Sequence, residues 1–566
     1  MSTVRRTYTH AIGVGAAAVA ALGWGQFDDI REQGQHSGAA PSSLPAFPCV
    51  PPLRALTFAH CDTECASNAP SAARTEDSSA GYAEWLAARG VCGLNNVALS
   101  KECGASLSAT GSGLFSSRWR RFGRTPNPAT VMMFPLDGGR VLSGTTIAKH
   151  PSYAAYADRG YNLVVLYLMI ERMKDAHGQA DAWMRQIADR QFSAPVMWSF
   201  NEIDWLRGTS LYRAVMHQRE SLKYQWEQGG VRQACSEVAR AADLRSPTFE
   251  DYTWATAAFT LFAIPLVDSC AKHNEEADDP HGHGTHSLQI VPGLEIFQSC
   301  SANAGAARCH LDVDADARQL CVVCPKVAPG TQLSVAYGDD YDDDASVEQM
   351  LFQFGVLDAD PSLEVLMIEC PIPPVDEWDA SIKRRFALLL EDDLRPQLFL
   401  SRRQLTGIEK TAAKKVAGAA ARQQRFERMF SPGVRETITI FVMDEDQLQA
   451  RIDGIVKADA EPLAASGMRM AVLTTVVRLL EVKQYELESD EKGTGTLESD
   501  QRLLESINAE QRGTTAMPHS GPTMRQRAAL RHRMDQKLLV REYLRVYGEA
   551  LQEELTYLRE LSRGRL

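Results

Sequence analysis

Between Ser287 and Val356 this chain cannot sustain a long helix, because short apolar runs alternate with turn residues every few positions. Ile290-Val291-Pro292 is followed by Cys309 to Val313, a polar turn from Asp314 to Gln319, Leu320 to Val327, and a Pro329-Gly330 turn into Leu333 to Gly338. Runs rich in Val, Leu and Cys, punctuated by Gly, Pro and Asp, are the pattern of short strands joined by tight turns. An acidic loop follows Tyr337-Gly338, and Val347 to Val356 then takes up a helical spacing of apolar residues.

The rest of the chain reads differently. Asn162 to Lys174 and Phe249 to Pro265 are long apolar segments that predict helices, and beyond Pro371 amphipathic helical patterning takes over. It is carried by Glu409 to Met429, Asp446 to Lys457, Gly467 to Tyr485, Ser499 to Glu510 and Met524 to Leu561. With 566 residues, 44% of them hydrophobic, the chain is long enough for two or more cores. Its formal charge of −12 argues against nucleic acid as a partner. The basic residues from Arg525 to Arg533 are expected to form a solvated helix face.

At the N-terminus Arg5 and Arg6 precede an apolar, small-residue run from Ala11 to Gly25. It falls short of the roughly 20 apolar residues that a membrane span needs. Residues 1–26 therefore read as a targeting-like segment or a weak anchor, and any membrane association is expected through this segment only. The expected destination is an organelle, mitochondrion or plastid, with the secretory route as the alternative. Residues 27–79, rich in Pro, Ser, Ala and Gly, read as a low-order linker. Folded material is expected from Gly81, where Tyr82, Trp85 and Leu86 share one helical face.

Twelve cysteines, five of them in the first 103 residues, are read mainly as buried free thiols. Cys309-His310 and Cys321-x-x-Cys324 have the chemistry of zinc ligands, but Cys321 and Cys324 fall on opposite faces of one strand, so core packing and no metal are expected. The loop from His273 to His286 holds four histidines at irregular spacing and reads as a solvated insertion.

In the order of its phrases the sequence resembles the SET-domain lysine methyltransferases of the Rubisco-methyltransferase-like branch. The resemblance rests on Gly111-Ser112-Gly113-Leu114, Asp204 to Thr209, Trp254-Ala255, Val291-Pro292 with Glu295, Pro329-Gly330, Tyr337-Gly338 and Phe354-Gly355-Val356. Two further phrases, Thr496 to Asp500 and Arg527 to Leu539, are similar to the helical domain that follows the SET domain in that branch. The chain departs from the pattern where Gln298-Ser299 stands for an Asn-His pair, Glu295 for an aspartate and Phe262 for an arginine that meets the cofactor's carboxylate.

This resemblance implies an α+β architecture: a SET domain of small curved sheets with a helical insert over residues 80–370, then an all-α substrate-binding domain over 371–566. It implies S-adenosylmethionine as cofactor, approached by Gly111, Gly113, Glu295, Gln298, Ser299 and Tyr337, although an ordinary turn explains the Gly-x-Gly equally well. Tyr337 takes the catalytic role of orienting the acceptor amine, and Phe354 contacts the substrate. The implied activity is protein-lysine N-methylation, with histidine as another acceptor. The alternative is a catalytically impaired SET scaffold, including an organelle-membrane-associated assembly subunit, that binds a protein partner through its helical domain.

Overall fold

The computed structural model describes residues 78–100, 104–107, 129–136, 140–190, 192–267, 286–297, 307–314, 317–336, 346–355, 357, 361–412, 419–454, 462–513 and 523–563. The chain divides into two compact units, the first comprising residues 1–198, 214–345 and 349–359, the second 199–213, 346–348 and 360–566. The boundary expected at 370/371 thus falls at 359/360, and two short excursions, at 199–213 and 346–348, leave the first unit to join the second.

The first unit is built on the short strands that the turn-punctuated sequence predicts. β1 (Val97–Ser100), β2 (Gly104–Leu107) and β3 (Ala129–Pro135) come early; β4 (Ala263–Val267) and β5 (His286–Ile290) form a separate pair; β6 (Ala307–Asp314), β7 (Gln319–Cys324) and β8 (Gln332–Ala336) follow. The larger sheet runs β1-β2-β8-β6-β7-β3 and is antiparallel except for β6 beside β8. Tight turns license neighbouring antiparallel pairs such as β6 and β7, whereas the parallel placement of β8 requires the chain to cross back over the sheet. Leu320, Val322, Leu333 and Val335 are all at most 1% exposed and anchor the sheet to the core.

Helices complete that core. Asn162 caps the helix Leu163–Asp175 by accepting from the amides of Val164 and Val165, and eight of its residues are buried. The helix Phe249–Phe262 starts in a capping box between Thr248 and Asp251. It was expected to run to Pro265, but Ala263 turns extended and the chain continues as β4, paired to β5 from Ala263↔Ile290 to Val267↔His286. A continuous apolar run does not distinguish helix from buried strand; the partner strand does.

The second unit carries long helices where the sequence predicts them, chief among them Pro462–Glu488, Leu497–Gly513 and Met524–Ser562. Its core gathers Val472, Val476, Leu480, Leu539, Val540, Tyr543 and Tyr547, all fully buried. Among the described residues, Leu463–Glu488 is the one helical stretch long and apolar enough to cross a membrane, by length and composition only, and it packs along Met524–Ser562. The unit is not wholly helical: β9 (Val365–Glu369) pairs antiparallel with β10 (Gln397–Ser401), the latter inside the region expected to be all-α. Leu398 and Leu400 alternate inward in β10, a period of two that the surrounding helical pattern obscures.

Candidate functional site

Five of the residues that the sequence nominates, Gly111, Gly113, Gln298, Ser299 and Tyr337, lie outside the described residues. The elements that lead into three of them are described. β8 ends at Ala336, one residue before Tyr337, and is a central strand, held by β2 on one side and by β6 on the other. The single turn of 3-10 helix Leu294–Phe297 ends one residue before Gln298 and packs against both β2 and β8. Two chain segments far apart in sequence thus start from elements in mutual contact within the first unit.

That turn is pinned by Glu295, which is 3% exposed. Its Oε2 accepts from the Trp183 indole at 3.0 Å and from the Gly293 amide at 2.7 Å, and its Oε1 accepts from the Tyr82 hydroxyl. Three donors from three separate stretches make this a satisfied buried carboxyl. Burial and the adjoining carboxylate push the Tyr82 hydroxyl well above its ordinary pKa. The resemblance implies a cofactor contact for Glu295; in the structure its two oxygens accept these three hydrogen bonds from the core. Tyr82 and Trp183 escaped notice as partners because both read simply as core aromatics.

Phe354, nominated for substrate contact, is buried in the core of the first unit at 6% exposure. The next residue explains the phrase. Gly355 has φ +69°, and any Cβ there would run into the backbone carbonyl of Ser193, so glycine is the residue that closes this helix against the neighbouring chain. Phe262 is 2% exposed and meets Phe192 edge-on at 5.8 Å, with Trp254 on the same ring at 5.4 Å. Where the family pattern has an arginine, this chain has an aromatic cluster.

Cys309 and Cys324 were expected as free thiols, but they face one another across β6 and β7 and form a disulfide, with Cα atoms 4.2 Å apart. Cys321 is a free cysteine of intermediate exposure on the same strand as Cys324. Strand alternation separated these two cysteines correctly; the cross-strand partner required the register.

In the second unit the remaining phrases prove to be joints. Gly208, at φ +84°, lies against the carbonyl of Glu486, and its own carbonyl accepts from the Lys483 ammonium at 3.3 Å. The two C-terminal phrases meet at Asp500, whose carboxylate takes Arg533 at 2.6 and 3.0 Å and Lys537 at 2.6 Å. Arg533 is 5% exposed, so the basic run is not uniformly a solvated face. Arg525, at its start, pairs with Glu202 at 3.4 Å.

With this geometry in place, comparison with solved structures decides the fold. The SET domain of LSMT bound to lysine and AdoHcy superposes with a TM-score of 0.54 at 12% identity, covering 85% of this chain and 93% of that one. Rubisco LSMT bound to AdoMet gives 0.53 at 12% identity over the same shares. The chain has the SET fold of the Rubisco LSMT type. Rubisco LSMT bound to sinefungin and monomethyllysine is similar as well, at a TM-score of 0.51 and 11% identity. No protein-family model and no curated protein matches the sequence. The likeness is thus one of fold, over 85% of this chain and 93% of the other.

Proposed function

We propose that this protein is an S-adenosylmethionine-dependent protein-lysine N-methyltransferase of SET type. The observation that carries the reading is a SET fold shared over 85% of the chain with structures whose ligands are AdoMet, AdoHcy, lysine and monomethyllysine. The packing of the turn before Gln298 against the strand before Tyr337 supports it. S-adenosylmethionine supplies an already activated methyl group. The protein's task is then alignment and desolvation, which together are worth up to about 7–11 kcal/mol when geometry is ideal. In this reading Tyr337 orients the acceptor amine, whose pKa burial lowers toward neutrality. A protein substrate is held through the helical second unit.

The described residues offer the cofactor little. Both oxygens of Glu295 are taken by the core, and Phe262 presents no charge to a carboxylate. The holding contacts fall to Gly111, Gly113, Gln298, Ser299 and Tyr337. Those same two observations favour a second reading, a SET scaffold without transfer activity that binds a protein partner. Calorimetric titration of the full chain with S-adenosylmethionine and S-adenosylhomocysteine separates them: micromolar binding is expected, and no binding at millimolar ligand by folded protein leaves only the scaffold. Methyl transfer to candidate lysine- and histidine-containing proteins should fall at least tenfold in Tyr337→Phe. An unchanged rate removes Tyr337 from the catalytic role.

A further inference from the structure

The second unit contains a buried polar cluster that methyl transfer does not use. Glu364, immediately before β9, is 1% exposed; His532 and Gln536, one turn apart on the helix Met524–Ser562, are both at 0%. The His532 Nδ1 stands 3.4 Å from Glu364 Oε1, an oxygen that also accepts from Gln536 Nε2. Glu364 Oε2, Glu348 Oε1, Gln536 Oε1 and both imidazole nitrogens are buried with no hydrogen-bond partner. Three of these five atoms can only accept, and a neutral imidazole brings one donor and one more acceptor. Among these five atoms acceptors outnumber donors, and a proton bound on Glu364 adds a donor facing the imidazole.

Most of the surrounding charges are engaged elsewhere. Lys483, from the helix Pro462–Glu488, is 1% exposed and directs its ammonium to the Gly208 carbonyl and to Glu486 at 3.5 Å. Arg213 pairs with Glu369 at 2.6 Å; Arg402 gives one Nη to Glu542 at 3.0 Å, while its Nε and other Nη are buried without a partner and its charge opposes the upward push on Glu364. Glu348, on the first turn of the helix Val347–Phe354, and Asp535, beside Gln536, add two more carboxyls to the surroundings of Glu364, and both are pushed up by burial.

We propose that Glu364 and His532 hold one proton between them in the folded protein, as a carboxylic acid facing a neutral imidazole, and that the pair is a pH-set latch within the second unit. The proton count makes the behaviour specific. Burial above all, with Asp535 and Glu348 adding to it, outweighs the Gln536 hydrogen bond and the Arg402 charge and drives Glu364 well above its ordinary 4.5, while burial and then Lys483 push His532 from 6.5 down to about 3. Between pH 4.5 and 6.5 the unfolded chain also holds one proton on this pair, on the histidine, so folding moves the proton without changing the count. Stability is flat in that window. Above 6.5 the unfolded pair loses its proton and the folded pair keeps it, so stability falls as pH rises toward the folded Glu364 pKa. Below 4.5 the unfolded pair binds two protons against one, so stability falls as pH drops toward about 3. Each edge changes the folding equilibrium about tenfold per pH unit.

The test is chemical denaturation of the full chain across this pH range for wild type, Glu364→Gln and His532→Gln. In Glu364→Gln the alkaline edge is expected to vanish and the acid edge to move up from 4.5 to 6.5. In His532→Gln the acid edge is expected to vanish and the alkaline edge to move down from 6.5 to 4.5. Edges that stay in place in either variant overturn the proposal. Failure of Glu364→Gln to fold at pH 5.5 also overturns it, because glutamine is neutral and has the shape of the protonated acid. Independently, infrared spectra of the wild type at pH 7.5 should carry the carbonyl stretch of a buried carboxylic acid that Glu364→Gln loses; no such loss overturns it too.

Discussion

Glu295 and Glu364 are equally buried glutamates with opposite surroundings. The first, in the SET core, accepts from a phenol, an indole and a backbone amide. The second, in the helical unit, has one amide donor, one oxygen without a partner and an imidazole at 3.4 Å. Their burial differs by only two percentage points, 3% against 1% exposure. What separates them is the supply of donors, since a buried polar atom left unpaired costs about 1–3 kcal/mol. Donor count, more than depth, separates the two carboxyls.

Asp500 tests whether this contrast belongs to the units or to the individual sites. It lies in the same unit as Glu364, is 1% exposed, and is held by Arg533 and Lys537. Asp500→Asn leaves two buried cations short of a counter-charge and is expected to cost about 3–5 kcal/mol in equilibrium denaturation. A cost below about 1 kcal/mol would mean that donor supply does not rank these sites.

The direct comparison is Glu→Gln at the two glutamates. At Glu295 the new amide sets an N–H against existing donors and should cost the first unit about 2–4 kcal/mol. At Glu364 the same change near pH 5.5 should cost less than about 1 kcal/mol, because glutamine replaces a neutral acid. Equal costs at the two positions would erase the distinction.

The smallest effect is expected at an exposed carboxylate. Hydrogen bonds from Arg541 chiefly hold Glu498 down to about 2, below its ordinary 4.5. A depressed folded-state pKa gives stability that is present above 4.5 and lost as pH falls toward 2. Glu498→Gln should remove that acid dependence while barely moving the midpoint at neutral pH, as solvent-screened pairs do. A large loss at neutral pH would place this ion pair among the structural joints.

The strand-turn rhythm from Ser287 to Val356 was legible because turn residues and apolar alternation are local signals. It placed β6, β7 and β8 and the helix after them. The helical second half was legible for the same reason. β4 was not, because Ala263 to Val267 continues an apolar run that only its pairing with β5 makes extended. Of the site, the sequence singled out Glu295 but missed its partners, Tyr82 and Trp183, which lie 213 and 112 residues away.

By itself, then, the sequence determined the kinds and order of the elements and the phrases that align with a SET fold, since 2.0- and 3.6-residue periodicities are written into neighbouring positions. Only the tertiary structure decided what each buried charge meets. It joined Cys309 to Cys324, Asp500 to Arg533 and Lys537, and Glu364 to His532. Those pairings depend on which distant elements share a register or a helix face, and no local periodicity encodes that.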